Sequence, residues 1–197
     1  MVYVVCAVLV LIWLYVLHVC KRAELKYWGF IIGCFGLFII LIVMIRPVLQ
    51  PLLSQMVTAI SGLFGSLTGT FSAYFKYGVL FVESASESIT LQIDMECSGI
   101  IEIAVYVSLI TFFQVYSRNE RIIVGILGVV FIVLANSIRI IVICEIIHFF
   151  GPGAYYVSHS LIGRVVFYAL SVVLYFYVFT KPHIVRMRVG KFAYGHN

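Results

Sequence analysis

Charge is scarce in this sequence. Only 11% of its 197 residues are Asp, Glu, Lys or Arg, whereas 63% are hydrophobic. A soluble domain carries about a quarter charged residues, so that class is excluded. A concentrated basic patch is missing too. The net charge of +5 is broken into short clusters between apolar runs, which argues against nucleic acid as a partner. None of the five cysteines forms a C-x-x-C pair, so neither a structural zinc site nor a dithiol redox motif is indicated. No metal and no organic cofactor is called for. The first apolar run has no basic region ahead of it and its cations follow it, which favours a retained helix over a cleaved signal peptide.

Apolar runs of membrane length, about 20 residues each, are abundant. They cover residues 2–19, 27–45, 99–116, 122–150 and 161–180, the fourth being too long for one simple span. Lys21, Arg22 and Lys26 follow the first run, Arg118 and Arg121 the third, and Lys181, Arg186, Arg188 and Lys191 the fifth. Cytoplasmic loops are enriched in Lys and Arg. The N-terminus is therefore expected outside and the C-terminus in the cytoplasm of a multi-pass cell-membrane protein. Apart from the juxtamembrane Arg46, the outward segments carry only Lys76 as a cation before Arg164 enters the last span. The expected fold is an all-α polytopic membrane protein with about five transmembrane helices in a single domain, residues 1–197. Within it lie two N-terminal helices (1–46), an extracytoplasmic segment (47–96), the helices bearing the candidate site (97–180) and a basic tail (181–197).

The extracytoplasmic segment contains two patterns. Leu52, Met56, Ile60, Leu63 and Leu67 recur at helical spacing with Ser54, Gln55, Thr58, Ser61 and Ser66 between them, which predicts a short amphipathic helix on the interface or against the bundle. A helical pair over 52–67 and 71–82, dipping into the membrane, is the alternative. Then Ile89, Leu91, Ile93 and Met95 alternate with Thr90, Gln92, Asp94 and Glu96, as in a half-buried strand. Residues 78–82 can pair with it through a polar turn at 83–88. An open strand edge cannot face lipid, so this β-hairpin should cap the outer face and deliver the chain to Cys97.

Ionisable groups in or near spans are costly and mark candidate sites. Here they are Cys97, Glu102, Arg139, Glu145, His148, His159 and Arg164. Arg139 lies 17 residues beyond Ile122, roughly 26 Å along a helix, close to the outer boundary of a hydrocarbon core of about 30 Å. Cys97 and His159 each open an inward-running segment, so topology places all three in one layer. A cysteine at a helix N-terminus is biased toward thiolate, although Asp94 and Glu96 oppose this and require a nearby cation. Taken alone, Cys97 also reads as a small apolar-like residue; its flanks set it apart from Cys6, Cys20, Cys34 and Cys144. Arg139 shares a helix face with Asn136 and offers a fixed fork of donors; it could equally be an interfacial arginine paired with Glu145 or Glu102. His159 has the chemistry of a proton shuttle near neutral pH, with His148 as its rival.

Three elements then coincide in order and spacing: Glu-Cys-Ser-Gly-Ile at 96–100, Ala-Asn-Ser-Ile-Arg-Ile at 135–140, and the histidine at 159. Over residues 78–180 the chain resembles the exosortase/archaeosortase family, and its small size is most similar to the compact exosortase G type of Gram-positive bacteria. The resemblance implies a membrane cysteine transpeptidase or protease. Its substrates would be exported proteins carrying a C-terminal motif, a transmembrane helix and a basic tail. It implies Cys97 as nucleophile, Arg139 as oxyanion or thiolate stabiliser and His159 as acid/base, with Arg164 in view because the archaeal branch uses arginine in the third role. Partners would be those proteins, the bilayer and an envelope amine if water is not the acceptor. A non-catalytic assembly or transport subunit and a membrane S-acyltransferase remain as other readings.

The charge pattern gives a direct test. A reporter inserted in the turn at residues 84–88 should behave as external and one fused after Lys191 as cytoplasmic. A cytoplasmic reading at Ser86 would remove the shared outer layer.

Overall fold

The computed structural model describes residues 2–84, 87–95 and 97–182. The chain forms a helical membrane protein with a small sheet. Among the described residues, three helical stretches are long and apolar enough to cross a bilayer: Lys26–Thr68, Arg118–Phe150 and Pro152–Thr180. They are joined by α1 (Val2–Arg22) and the shorter α4 (Ile100–Phe112). Arg186, Arg188 and Lys191 of the expected basic tail, and Ala85, Ser86 and Glu96, lie outside the described residues.

The bundle is organised around α5 (Arg118–Phe150). Its 33 residues make a rod of about 50 Å, longer than the hydrocarbon core. The run expected over 122–150 is thus one helix, long enough to cross that core with turns to spare. Its start is fixed by a capping box: Ser117 Oγ accepts from the Glu120 amide, and the Glu120 carboxylate accepts from the Ser117 amide, satisfying two amides that a helix N-terminus leaves free. Helix α4 runs antiparallel along the lower part of α5. Arg121 donates to the Phe113 carbonyl (3.0 Å), Tyr106 to the Val124 carbonyl (2.8 Å), and Asn136 to the Cys97 carbonyl. The expected third span, 99–116, is therefore shorter than its apolar run, because its first residue is a left-handed cap and its last few form a turn.

Beyond the level of Cys97, the remaining turns of α5 carry the sheet. Strands β1 (Phe71–Tyr74), β2 (Val79–Glu83) and β3 (Ser88–Gln92) form an antiparallel sheet in that order. Val79 pairs with Gln92 and Glu83 with Ser88. The expected hairpin is present, and a further strand, β1, pairs with β2 from Phe71↔Val82 to Tyr74↔Val79. The alternative helix over 71–82 does not form. Strand character ends at Gln92, earlier than the alternation to Glu96 suggested. The sheet is pinned to α5 by three contacts: His148 Nδ1 donates to the Glu83 carbonyl, Ser84 Oγ to the His148 carbonyl (3.3 Å), and Thr70 Oγ1 to the Glu145 carboxylate (2.7 Å).

The amphipathic helix is also present, and longer. Helix α3 (Arg46–Thr68) continues from α2 (Lys26–Ile40) through a π-helical turn at Leu41–Ile45. Ser54, Thr58 and Ser61 are buried, with Ser54 Oγ donating to the Ile93 carbonyl (2.9 Å) and Ser61 Oγ to the Ser137 carbonyl (3.3 Å). Leu52, Met56, Leu63 and Leu67 point outward, Leu67 being 79% exposed. An apolar face outside and small polar residues inside is the packing expected of a helix that contacts lipid rather than water.

Helices α4 and α5 meet closely at Gly128, where an added Cβ would stand 2.1 Å from the Tyr106 ring. Tyr106 is fully buried and tied by its hydroxyl to Val124, so it cannot swing aside. Gly128→Ala should therefore cost about 1–3 kcal/mol by overpacking, read as a lower thermal midpoint in detergent. Gly125→Ala, whose Cβ meets its nearest neighbour only at 4.0 Å, should leave that midpoint unchanged.

Candidate active site

The site is built on the turn between β3 and α4. Asp94 Oδ1 accepts from the Cys97 amide (3.2 Å) and the Met95 carbonyl accepts from Ser98 Oγ (3.0 Å), which close the turn. Gly99 is the N-cap of α4 at φ +77°, a left-handed conformation that glycine adopts without strain. Cys97 thus stands two residues ahead of the cap, between strand and helix, as its sequence suggested. Asn136 packs on this turn. Its Nδ2 donates to the Cys97 carbonyl at 2.5 Å, and a Cβ at position 99 would meet the same nitrogen at 3.4 Å. Asn136 is 1% exposed, and among the described residues no donor reaches its buried Oδ1.

With the backbone held this way, the thiol of Cys97 faces two side chains from other helices. Its Sγ is 3.1 Å from His159 Nε2 and accepts from Arg139 Nη2 at 3.7 Å. Arg139 reaches it because position 139 is one helical turn beyond Asn136 on the same face of α5. Arg139 is 5% exposed as a residue, and its guanidinium lies 6.0 Å over the Phe167 ring and within electrostatic range of the Glu102 carboxylate in the first turn of α4. A cation held beside sulfur favours its anionic form. His159 lies in the π-helical turn Ser158–Ile162 that leads into α7 (Gly163–Tyr175). Its ring is stacked on Tyr155 of the short α6 (Tyr155–Val157), with centroids 5.5 Å apart and planes 21° apart. That stacking directs Nε2 at the sulfur.

The three residues expected to share a layer, Cys97, Arg139 and His159, are thus brought into contact. The other candidates are distributed differently. His148 is engaged by the Glu83 carbonyl and Glu145 by Thr70, so both serve the attachment of the sheet. Arg164 is exposed on α7 and is not among the residues lining the cleft over Cys97. Cys20, Cys34 and Cys144 lie elsewhere, Cys34 donating to the Ser108 carbonyl at 3.6 Å; the side chain of Cys6 lies outside the described residues. The cleft is small, about 70 Å³, and is walled by Leu91 to Asp94 on one side and by Ile140, Ile143, Tyr155 and His159 on the other. Among the described residues, no three or more His, Cys, Asp or Glu side chains converge as a metal site requires.

Asn136 and Tyr155 are the residues that sequence reasoning undervalued. Asn136 was legible as a face-mate of Arg139, yet its grip on the Cys97 carbonyl depends on how closely α4 approaches α5. Tyr155 had no signal, because its role arises from an irregular turn.

The contacts predict the reactivity of the thiol without any substrate. Alkylation of Cys97 by iodoacetamide at pH 7, followed by peptide mass, should slow roughly tenfold in Arg139→Gln, the effect of about one pKa unit on a thiolate population. His159→Gln should slow it to a similar degree. His148→Gln should alkylate at the wild-type rate, and an equal loss there would contradict the placement.

The transmembrane exosortase (Exosortase_EpsH) family model matches residues 1–177 of the chain. No curated protein and no solved structure gives a significant match. The family match covers the sheet, Cys97, Arg139 and His159, and the chain belongs to the transmembrane exosortase family. Membership supports a membrane transpeptidase-type role at the level of the family.

Proposed function

We propose that the protein is a membrane cysteine transpeptidase or protease that cleaves C-terminal sorting signals of exported proteins at the outer face of the cell membrane. The observation that carries this reading is the convergence of His159 Nε2 and Arg139 Nη2 on Cys97 Sγ at 3.1 and 3.7 Å. Family membership supports it. Five spans, with the N-terminus outside and the C-terminus in the cytoplasm, put the sheet-bearing end and Cys97 at the extracytoplasmic surface. The small size of the chain favours the compact exosortase G type.

The chemistry is acyl transfer in two steps. The Cys97 thiolate, paired with protonated His159, attacks the carbonyl carbon of the scissile peptide, and a C–S bond forms. The negative charge moves to the carbonyl oxygen, where the Arg139 fork can receive it in a buried site. His159 then gives its Nε2 proton to the departing amine, the C–N bond breaks, and a thioester is left on Cys97. In the second step water or an envelope amine attacks the thioester, His159 takes the proton of that nucleophile, and the thiolate leaves. Hydrolysis gives a trimmed protein and aminolysis an anchored one. The signal's membrane helix and basic tail would lie beside α4 and α7, running the same way through the bilayer.

Replacement of the three residues should separate their tasks. Cys97→Ala should abolish processing of a co-expressed protein ending in a motif, a transmembrane helix and a basic tail, while the variant still accumulates. Arg139→Lys should be slowed about 10²–10³-fold, because a point charge lacks the paired donors of an oxyanion site. His159→Gln should lose about 10²–10⁴-fold, mostly in formation of the acyl-enzyme. Retention of processing by Cys97→Ala would falsify the proposal.

A further inference from the structure

The β3 strand leads through a short turn to Cys97, and among the described residues one of its edges is paired. Sheet order is β1-β2-β3, so β3 is an edge strand, and among the described residues β2 alone packs extensively along it. The phase of the ladder can be fixed from its two ends. The Ile93 amide donates to the Gly78 carbonyl (2.8 Å) and the Ser84 amide to the Glu87 carbonyl (3.1 Å). In an antiparallel pair, hydrogen-bonded and non-hydrogen-bonded positions alternate. Ile89, Leu91 and Ile93 therefore turn their amide and carbonyl groups to β2. Ser88, Thr90 and Gln92 turn theirs to the open edge. All three are exposed, and Gln92, with Leu91 and Asp94, walls the cleft that holds Cys97 and His159.

We propose that this edge is the substrate-binding rail: the extended segment on the N-terminal side of the scissile bond adds to β3 as a fourth strand. The inference rests on the reading above that the substrate is a polypeptide cut at Cys97. An extended peptide supplies the alternating donors and acceptors that an open edge requires, whereas a folded domain or a lipid chain does not. The direction also follows. β3 runs toward Cys97 and α4 continues into the bundle, and a sorting signal enters the membrane after its motif. The added strand therefore lies parallel to β3, with its last residue delivered to the thiol. Main-chain pairing gives affinity with little dependence on side chains, and the small cleft next to Cys97 selects what sits at the cut.

Proline at Thr90 tests this, since Pro removes an amide donor that points away from β2 and is tolerated at such edge positions. The probe is a protein ending in a motif, a transmembrane helix and a basic tail, co-expressed with each variant. Thr90→Pro should process it about tenfold more slowly, the loss expected for one edge hydrogen bond. Thr90→Ala, which keeps the amide, should process it several-fold faster than Thr90→Pro, and both variants should alkylate at Cys97 at the wild-type rate. Wild-type processing by Thr90→Pro would overturn the proposal while leaving the cysteine chemistry standing. No processing by the wild-type enzyme would overturn both. If Thr90→Pro does not accumulate, a photo-crosslinking residue decides instead, placed at Gln92 or at Tyr74 on the opposite strand of a Cys97→Ala enzyme. Capture of the probe from position 92 and not from 74 supports the rail. Capture from both, or from neither, overturns it.

Discussion

Apolar burial is non-directional, so a bundle built almost wholly from it cannot by itself aim a thiol. Direction comes here from one buried hydrogen bond, Asn136 Nδ2 to the Cys97 carbonyl. That bond fixes the turn between β3 and α4 on the surface of α5. Arg139 then reaches the sulfur from the next turn of the same helix, so one rigid rod holds both the turn that carries the thiol and the cation beside it. An amide buried to this extent in an apolar interior is costly unless paired, and the cost of the unpaired alternative is what gives the arrangement its specificity.

The length of α5 separates two functions along one helix. Its lower part packs α4 through Gly128, Tyr106 and Val124, and its last turns anchor the sheet through Glu145 and His148. The site lies where the first partner ends and the second begins. A buried arginine is expensive in such a place. Phe167 and Cys97 around it supply a ring face and a polarisable acceptor, and the proposed acyl transfer would develop its anion beside that charge.

Much of this was legible in the sequence, for reasons that differ by residue. Runs of apolar residues report helices, three stretches of which are long and apolar enough to cross a bilayer among the described residues, and the alternation from Ile89 onward reports a strand whose one face is covered. Cys97, Arg139 and His159 could be placed in one layer because helix rise converts sequence distance into depth. The orientation of α3 could not be read, since Leu and Ser at helical spacing define two faces without saying which meets lipid. Strand β1 was hidden because Phe71, Ser72, Ala73 and Tyr74 are too few to show a period. The choice of His159 over His148 depended on the π-helical turn at Ser158–Ile162 and on the Glu83 carbonyl engaging the other ring, neither of which leaves a local signature.

The central claim is that Cys97 becomes acylated by a protein. The most direct measurement is the intact mass of Cys97-containing peptide from enzyme quenched in acid during turnover of a co-expressed signal-bearing protein. The account predicts a thioester adduct, labile to hydroxylamine, whose mass equals the substrate sequence ending at the cleaved bond. A fatty-acyl adduct at Cys97, or an unmodified Cys97 while processing proceeds, would contradict it.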